Sequence, residues 1–189
     1  MRKIIVSEFI TADGVIEAPG GNEPQFPLGG WAFRFQQGPD GERFKLDEVM
    51  SAGALLLGRT TYEGFARAWP TFPPDPAGFT ERMNTITKYV VSTTLRSPTW
   101  QNTTVIGIND VARLKQESGG DLLINGSGKL VQGLTDQHLV DEYRLMIFPI
   151  ALGAGKTLFD SIREPAAMRL SDVRRIGSDG VVLLIYTPR

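Results

Sequence analysis

Three short apolar runs in this chain end in residues able to grip an anion. Ala54–Gly58, "ALLLG", leads straight into Arg59, Thr60 and Thr61. "KYVVST" ends on Ser92 and Thr93, and "LLIN" runs into Gly126, Ser127 and Gly128. Backbone N–H groups at a helix start lack intrahelical acceptors, and the helix dipole adds to their pull on a phosphate. Gly126 and Gly128 have no Cβ, so an anion can approach their backbone closely, with Ser127 as an extra donor. The planar fork of Arg59 matches phosphate geometry. With Ser92 and Thr93 it suits the 2′-phosphate of an NADP-type cofactor, while the Gly126–Gly128 turn suits a pyrophosphate. Any one of these junctions is equally well a tight turn, a helix cap or a surface charge. Gly126-Ser127-Gly128-Lys129 has neither the P-loop spacing nor the third glycine of the dinucleotide fingerprint. Recurrence at three junctions favours a ligand.

Those junctions need strands and helices to hold them. Lys3–Ile10, Ala54–Gly58, Lys88–Thr93, Thr103–Gly107, "DLLIN" and Val140–Ile150 read as strands by length and β-branched content. Tyr62, Phe65, Ala66 and Trp69 recur at helical spacing, and Thr60 and Glu63 have capping-box spacing. An earlier helix opens near Asp40-Gly41 with Leu46, Val49 and Met50 as its apolar stripe, and further helices follow Asn109 or Asp110 and Gly128. Thr11–Gly41 is rich in Gly and Pro and reads as a long loop, in which Trp31, Phe33 and Phe35 alternate as in a strand. Ser178-Asp179-Gly180 marks a hairpin turn near the C-terminus. The pattern predicts one α/β domain over residues 1–189: a mostly parallel central sheet flanked by helices, ending in an antiparallel hairpin. Ligands then bind beyond the carboxyl ends of the strands.

Composition narrows the function. The 189 residues are 41% hydrophobic and 22% charged, with a net charge of −1. That balance predicts no nucleic-acid partner and no anionic membrane surface. There is no cysteine and a single histidine, His138. Disulfides, thiolate metal sites and multi-histidine metal sites are thereby excluded, and no metal is expected. The apolar start before Ser7 and Glu8 is too short for a signal-peptide core, so a cytoplasmic protein is expected.

Asp47 and Glu48 are the candidate proton donors, Asp47 first. Each is also a plausible solvated helix carboxylate. Asp13 in "TADG" reads better as a turn former than as an acid. Lys156 in "GAGKTLF" is a candidate for a substrate phosphate or carboxylate, and equally a loop lysine in water.

The same segments resemble a known superfamily. "LLLGRTTYEGF" is similar to the G-R-x-T-[WY]-E motif of dihydrofolate reductases, "YVVSTTL" to their next strand, and "LLINGSGKLVQGL" to their glycine-rich turn. "LVDEYRLMIFPIALGAGKTLF" resembles more particularly the reductase domain of the bifunctional riboflavin-pathway deaminase/reductase and its stand-alone relatives. The resemblance implies a dihydrofolate-reductase-like fold, NADPH as hydride donor, a small heterocyclic substrate and a homodimer. Carried over by position, Gly58, Arg59, Thr60 and Thr61 would meet the cofactor phosphates, and Ser92 and Thr93 the adenosine 2′-phosphate. Gly126, Ser127 and Gly128 would line the pyrophosphate and nicotinamide, flanked by Ile16 and the backbone near Phe9. The nearest named activity is reduction of 5-amino-6-(5-phosphoribosylamino)uracil. Dihydrofolate reduction and a non-catalytic NADP-binding protein are the alternatives. Two departures stand out. The superfamily usually has adjacent glycines where Ser127 intervenes here, and the folate enzyme's acid lies in the helix before "LLLG", where Asp47 and Glu48 compete.

Overall fold

The strands that read as buried runs form the middle of one large sheet. The computed structural model describes residues 1–21 and 26–189; residues 22–25 of the expected Thr11–Gly41 loop lie outside them. Strands β1 (Ile4–Thr11), β2 (Ala54–Gly58), β3 (Thr87–Val91), β4 (Thr103–Ile106), β5 (Leu122–Ile124), β6 (Glu142–Phe148), β7 (Met168–Ile176) and β8 (Val181–Pro188) make an eight-stranded sheet in the order β4-β3-β2-β5-β1-β6-β8-β7. From β4 to β6 every pairing is parallel; β8 joins β6 and β7 antiparallel. β2 and β5 are buried at every position, as strands covered on both faces must be. The turn expected at Ser178-Asp179-Gly180 joins β7 to β8, with Gly180 at a φ of +82°.

Helices α1 (Gly38–Ser51), α2 (Arg59–Ala68) and α3 (Phe79–Thr85) cover one face, packing Val49, Tyr62 and Met83 onto Ile5, Leu55 and Leu57. Helices α4 (Asp110–Gln116) and α5 (Gly128–Asp136) cover the other, packing Leu114, Leu130 and Leu134 onto Ile4, Val6 and Leu56. None of the helices is long and apolar enough to cross a membrane, among the described residues.

Three local expectations are corrected. The Trp31, Phe33, Phe35 alternation belongs to a 3-10 turn over Trp31–Arg34, not to a strand. The Trp31 indole donates to the Glu17 carbonyl at 2.9 Å and packs edge-on to Phe148, while Phe33 points to solvent. The Thr60–Glu63 capping box does not form: Gly58 is the N-cap of α2, with no side-chain cap bond, and Glu63 pairs with Arg59 instead. In α1 the buried positions are Gly41, Glu48 and Val49, and Met50 is exposed. The helix begins at Gly38, and its inward face is set by ion pairs as well as apolar side chains.

Candidate functional site

The carboxyl ends of β2, β5 and β1 lie on neighbouring strands, and two helices start there. The Gly58 N–H donates to the Gly126 carbonyl at 3.4 Å, tying one strand-to-helix turn to the other. The fit is close enough that a Cβ on Gly58 would stand 2.0 Å from Ser127 Oγ. Gly126 has a φ of +100°, and a Cβ there would lie 2.6 Å from Thr61 Oγ1. The Gly126–Ser127 peptide is cis. On its far side the turn meets the Thr11–Ile16 loop, where a Cβ on Gly128 would come within 2.9 Å of Ile16 Cδ1. Ile16, Gly58, Thr61, Gly126, Ser127 and Gly128 therefore form one continuous rim. Close approach of an anion was the sequence reason for the glycines; the structure fills the space of their missing Cβ atoms with protein instead. Their first effect is to let the turns pack together.

The N–H groups at this rim remain candidates for an anion. Neither α2 nor α5 receives a side-chain cap, and in α5 the Ser127 carbonyl accepts from Leu130 and Val131, beyond the first N–H groups. Thr60 lies exposed in the first turn of α2. Arg59 projects beside it, its Nε on Glu63 at 2.7 Å and its Nη1 donating to Thr94 Oγ1 at 2.6 Å. Ser92 Oγ accepts from the Thr94 and Leu95 N–H groups at 3.2 and 3.0 Å. Thr94 thus links Arg59 to Ser92, its hydroxyl meeting the guanidinium and its N–H meeting Ser92 Oγ. Thr93 is exposed beside it.

The acids are arranged differently from the sequence expectation. Asp47 lies on the solvent face of α1, paired with Arg43 at 2.8 Å. Glu48, one position on, turns inward. Its Oε2 accepts from Ser7 Oγ at 2.8 Å and Lys45 Nζ at 2.7 Å, and its Oε1 from Arg144 Nη1 at 3.1 Å. Arg144 is held in turn by Glu142 at 2.6 Å. A buried carboxylate survives here because two cations share its charge.

Glu8 follows Ser7 on β1, and strand alternation sends its side chain to the other face, with Val6 and Ile10. Sequence reading left it unassigned. It is buried, and its Oε1 has no hydrogen-bond partner among the described residues. Burial pushes its pKa up to about 8, against the smaller opposing pulls of Lys45 and the Gly126 N–H. The signal was present in "IIVSEFI": two polar residues side by side in a strand buried on both faces.

Asp13 acts as the turn former expected. Its Oδ2 accepts from the Leu152 and Gly153 N–H groups at 3.0 and 2.7 Å, clipping the Thr11–Ile16 loop to the glycine loop before Leu158. The hydrogen bond from Thr11, then that from Gly153, holds its pKa below the usual carboxylate range. Lys156 belongs to the same clip: its ammonium pairs with Glu17, whose other oxygen accepts the Lys156 N–H at 3.0 Å. Its charge is already compensated there.

Comparison with known proteins places this arrangement. The chain is similar to the uncharacterized protein YyaP of Bacillus subtilis (strain 168), 28% identical over 192 residues, covering 98% of this chain and 94% of that one. Its fold matches a candidate riboflavin biosynthesis protein from Shewanella sp. PV-4 with a TM-score of 0.70 at 18% identity, each chain covered to 99%. It also matches the dihydrofolate reductase of Enterococcus faecalis, solved with NADP(H), with a TM-score of 0.56 at 16% identity, over 99% of this chain and 96% of that one. The fold is therefore dihydrofolate-reductase-like, and the scaffold is one that reductases use. With the model of the RibD C-terminal domain matching residues 2–182, the chain belongs to that family.

Proposed function

We propose that this protein is an NADPH-dependent reductase of a small heterocyclic substrate of the phosphoribosyl-bearing kind. The nearest named reaction is reduction of 5-amino-6-(5-phosphoribosylamino)uracil. The observation that carries the reading is the joined pair of uncapped helix starts, Gly58 against Ser127, with Arg59 on one side and Ile16 on the other. The donor set fits a ligand with two anionic groups. The starts of α2 and α5 would take the pyrophosphate, and Arg59 with Ser92 and Thr94 the 2′-phosphate; Ile16 would flank the ring. The bound cofactor supplies the hydride, and the chain's own task is to bind and orient. Family membership and the likeness to a reductase solved with NADP(H) support the reading.

The test is oxidation of NADPH, followed by absorbance, with pyrimidine and pterin substrates in turn. Oxidation with a ribosylaminopyrimidine phosphate supports the reading. Thermal stabilisation by NADPH without oxidation of any substrate marks a binding protein instead. The second reading, dihydrofolate reduction, draws on Glu48, an inward acid on the helix before β2. Its oxygens are already engaged by Ser7, Lys45 and Arg144, so the amino edge of a pterin would compete with two cations. That favours the pyrimidine. We propose further that it is a cytoplasmic homodimer, and light scattering at twice the chain mass tests the assembly.

A further inference from the structure

The carboxyl group of Glu8 is buried in the packed face of the sheet. It lies beneath the Gly126 turn at the start of α5, a nine-residue helix with no side-chain cap. The residue is 8% exposed, and its Oε1 is sealed from solvent without a partner among the described residues. A buried acceptor left unsatisfied is costly, and it persists where a ligand or a proton completes it.

Its neighbours show what ionisation would do. Across the sheet Glu8 stands opposite Leu145 of β6, which offers no charge. Tyr143, two residues earlier on β6, spends its hydroxyl on Thr135 at 2.8 Å. From α1, Lys45 favours the anion and Glu48 opposes it, and Lys45 is already bound to Glu48 and Ser7. The turn itself brings only the Gly126 N–H. An ionised Glu8 would therefore claim that N–H and set a full negative charge at the start of α5, where the helix otherwise attracts anions. A neutral Glu8 leaves the helix start free.

We propose that Glu8 is a positioning residue of the cofactor site that must carry a proton for an anionic dinucleotide to bind over the Gly126–Gly128 turn. Binding and protonation are then linked: the dinucleotide holds the proton on Glu8, and loss of the proton expels the dinucleotide. The inference rests on the NADPH reading above, and its test separates the two.

The experiment is calorimetric titration of the full chain with NADPH from pH 7 to pH 10. This range lies above the second ionisation of the cofactor's 2′-phosphate, near 6 for a phosphomonoester. In the wild type the Kd should rise with pH above about 8, the point where Glu8 loses its proton. The slope should approach about tenfold per pH unit. Titrations at pH 9 in two buffers of different ionisation enthalpy should show proton uptake approaching about one per NADPH bound. Glu8→Gln, neutral at every pH, should bind with a Kd flat across the range and no such uptake. A flat wild-type profile without proton uptake overturns the role of Glu8 and leaves the NADPH reading standing. So does a Glu8→Gln variant that keeps the wild-type slope. Should that variant not fold, the wild-type proton count decides alone. A wild type that binds no NADPH at pH 7 overturns both.

Discussion

Gly58 and Ser127 meet where two helices begin, and the hydroxyl of one occupies the space a methyl on the other would need. The φ of Gly58 is −76°, open to any residue, so substitution there costs space alone. Gly58→Ala should destabilise the fold by about 1–3 kcal/mol, the usual cost of overpacking. Because the nearest obstacle is Ser127 Oγ, the loss should shrink in the Gly58→Ala/Ser127→Ala double variant. Urea denaturation of the four proteins in this cycle checks it. Additive losses would mean the turns do not pack as described.

Asp47 and Glu48 are adjacent acids with opposite fates. Glu48→Ala would leave Lys45 and Arg144 without their shared carboxylate and should cost about 3 kcal/mol. Asp47→Ala removes one exposed i,i+4 pair and should cost under about 0.5 kcal/mol. Equal effects in chemical denaturation would contradict the inward turn of Glu48.

Two buried groups should give stability a minimum near pH 8. Glu8 is raised from 4.5 to about 8, so between those values the folded state holds a proton that the unfolded state has lost. Stability should fall as pH rises through that window. Lys88 is lowered from 10.5 to about 8, chiefly by burial, with Arg82 adding. Its ammonium is ringed by the carbonyls of Asn84, Ile86 and Gln101 and lies 4.1 Å from the centre of the Trp100 ring. Between pH 8 and 10.5 the unfolded state holds the extra proton, so stability should rise again. Each limb is at most about 1.4 kcal/mol per pH unit. Urea midpoints across the range check the shape; Glu8→Gln should flatten the acid limb and Lys88→Met the alkaline one.

Arg59 sets cofactor choice if it holds the 2′-phosphate. Arg59→Ala should weaken NADPH by about 1.5–3 kcal/mol, the worth of a charged hydrogen bond, and NADH much less. Calorimetric titration with both dinucleotides checks it, and an equal loss for both removes the assignment.

The strand-to-helix junctions were legible in sequence because they depend on neighbours along the chain: an apolar run, a glycine, then a helical period. Glu48 was harder. An apolar period favours Leu46, Val49 and Met50, while the actual inward face is fixed by Arg144, 96 residues away on β6. Helix α3 passed unread because its start is organised by Asp75, whose carboxylate accepts from the Ala77, Phe79 and Thr80 N–H groups across a proline-rich turn. The bond from Arg59 to Thr94 was hidden for a similar reason. The turn after β3 folds back on Ser92, and its register follows from that bond rather than from any period.

The rim itself is tested most directly by following backbone amide resonances of the labelled protein as NADPH is added. Saturating shifts should gather on Gly58–Thr61, Ser92–Thr94 and Gly126–Gly128, with Ile16 among them. The contrary result is no saturable shift. Shifts centred instead on the hollow of about 270 Å³ among Phe72, Thr80, Asn84 and Gln101 would contradict it equally.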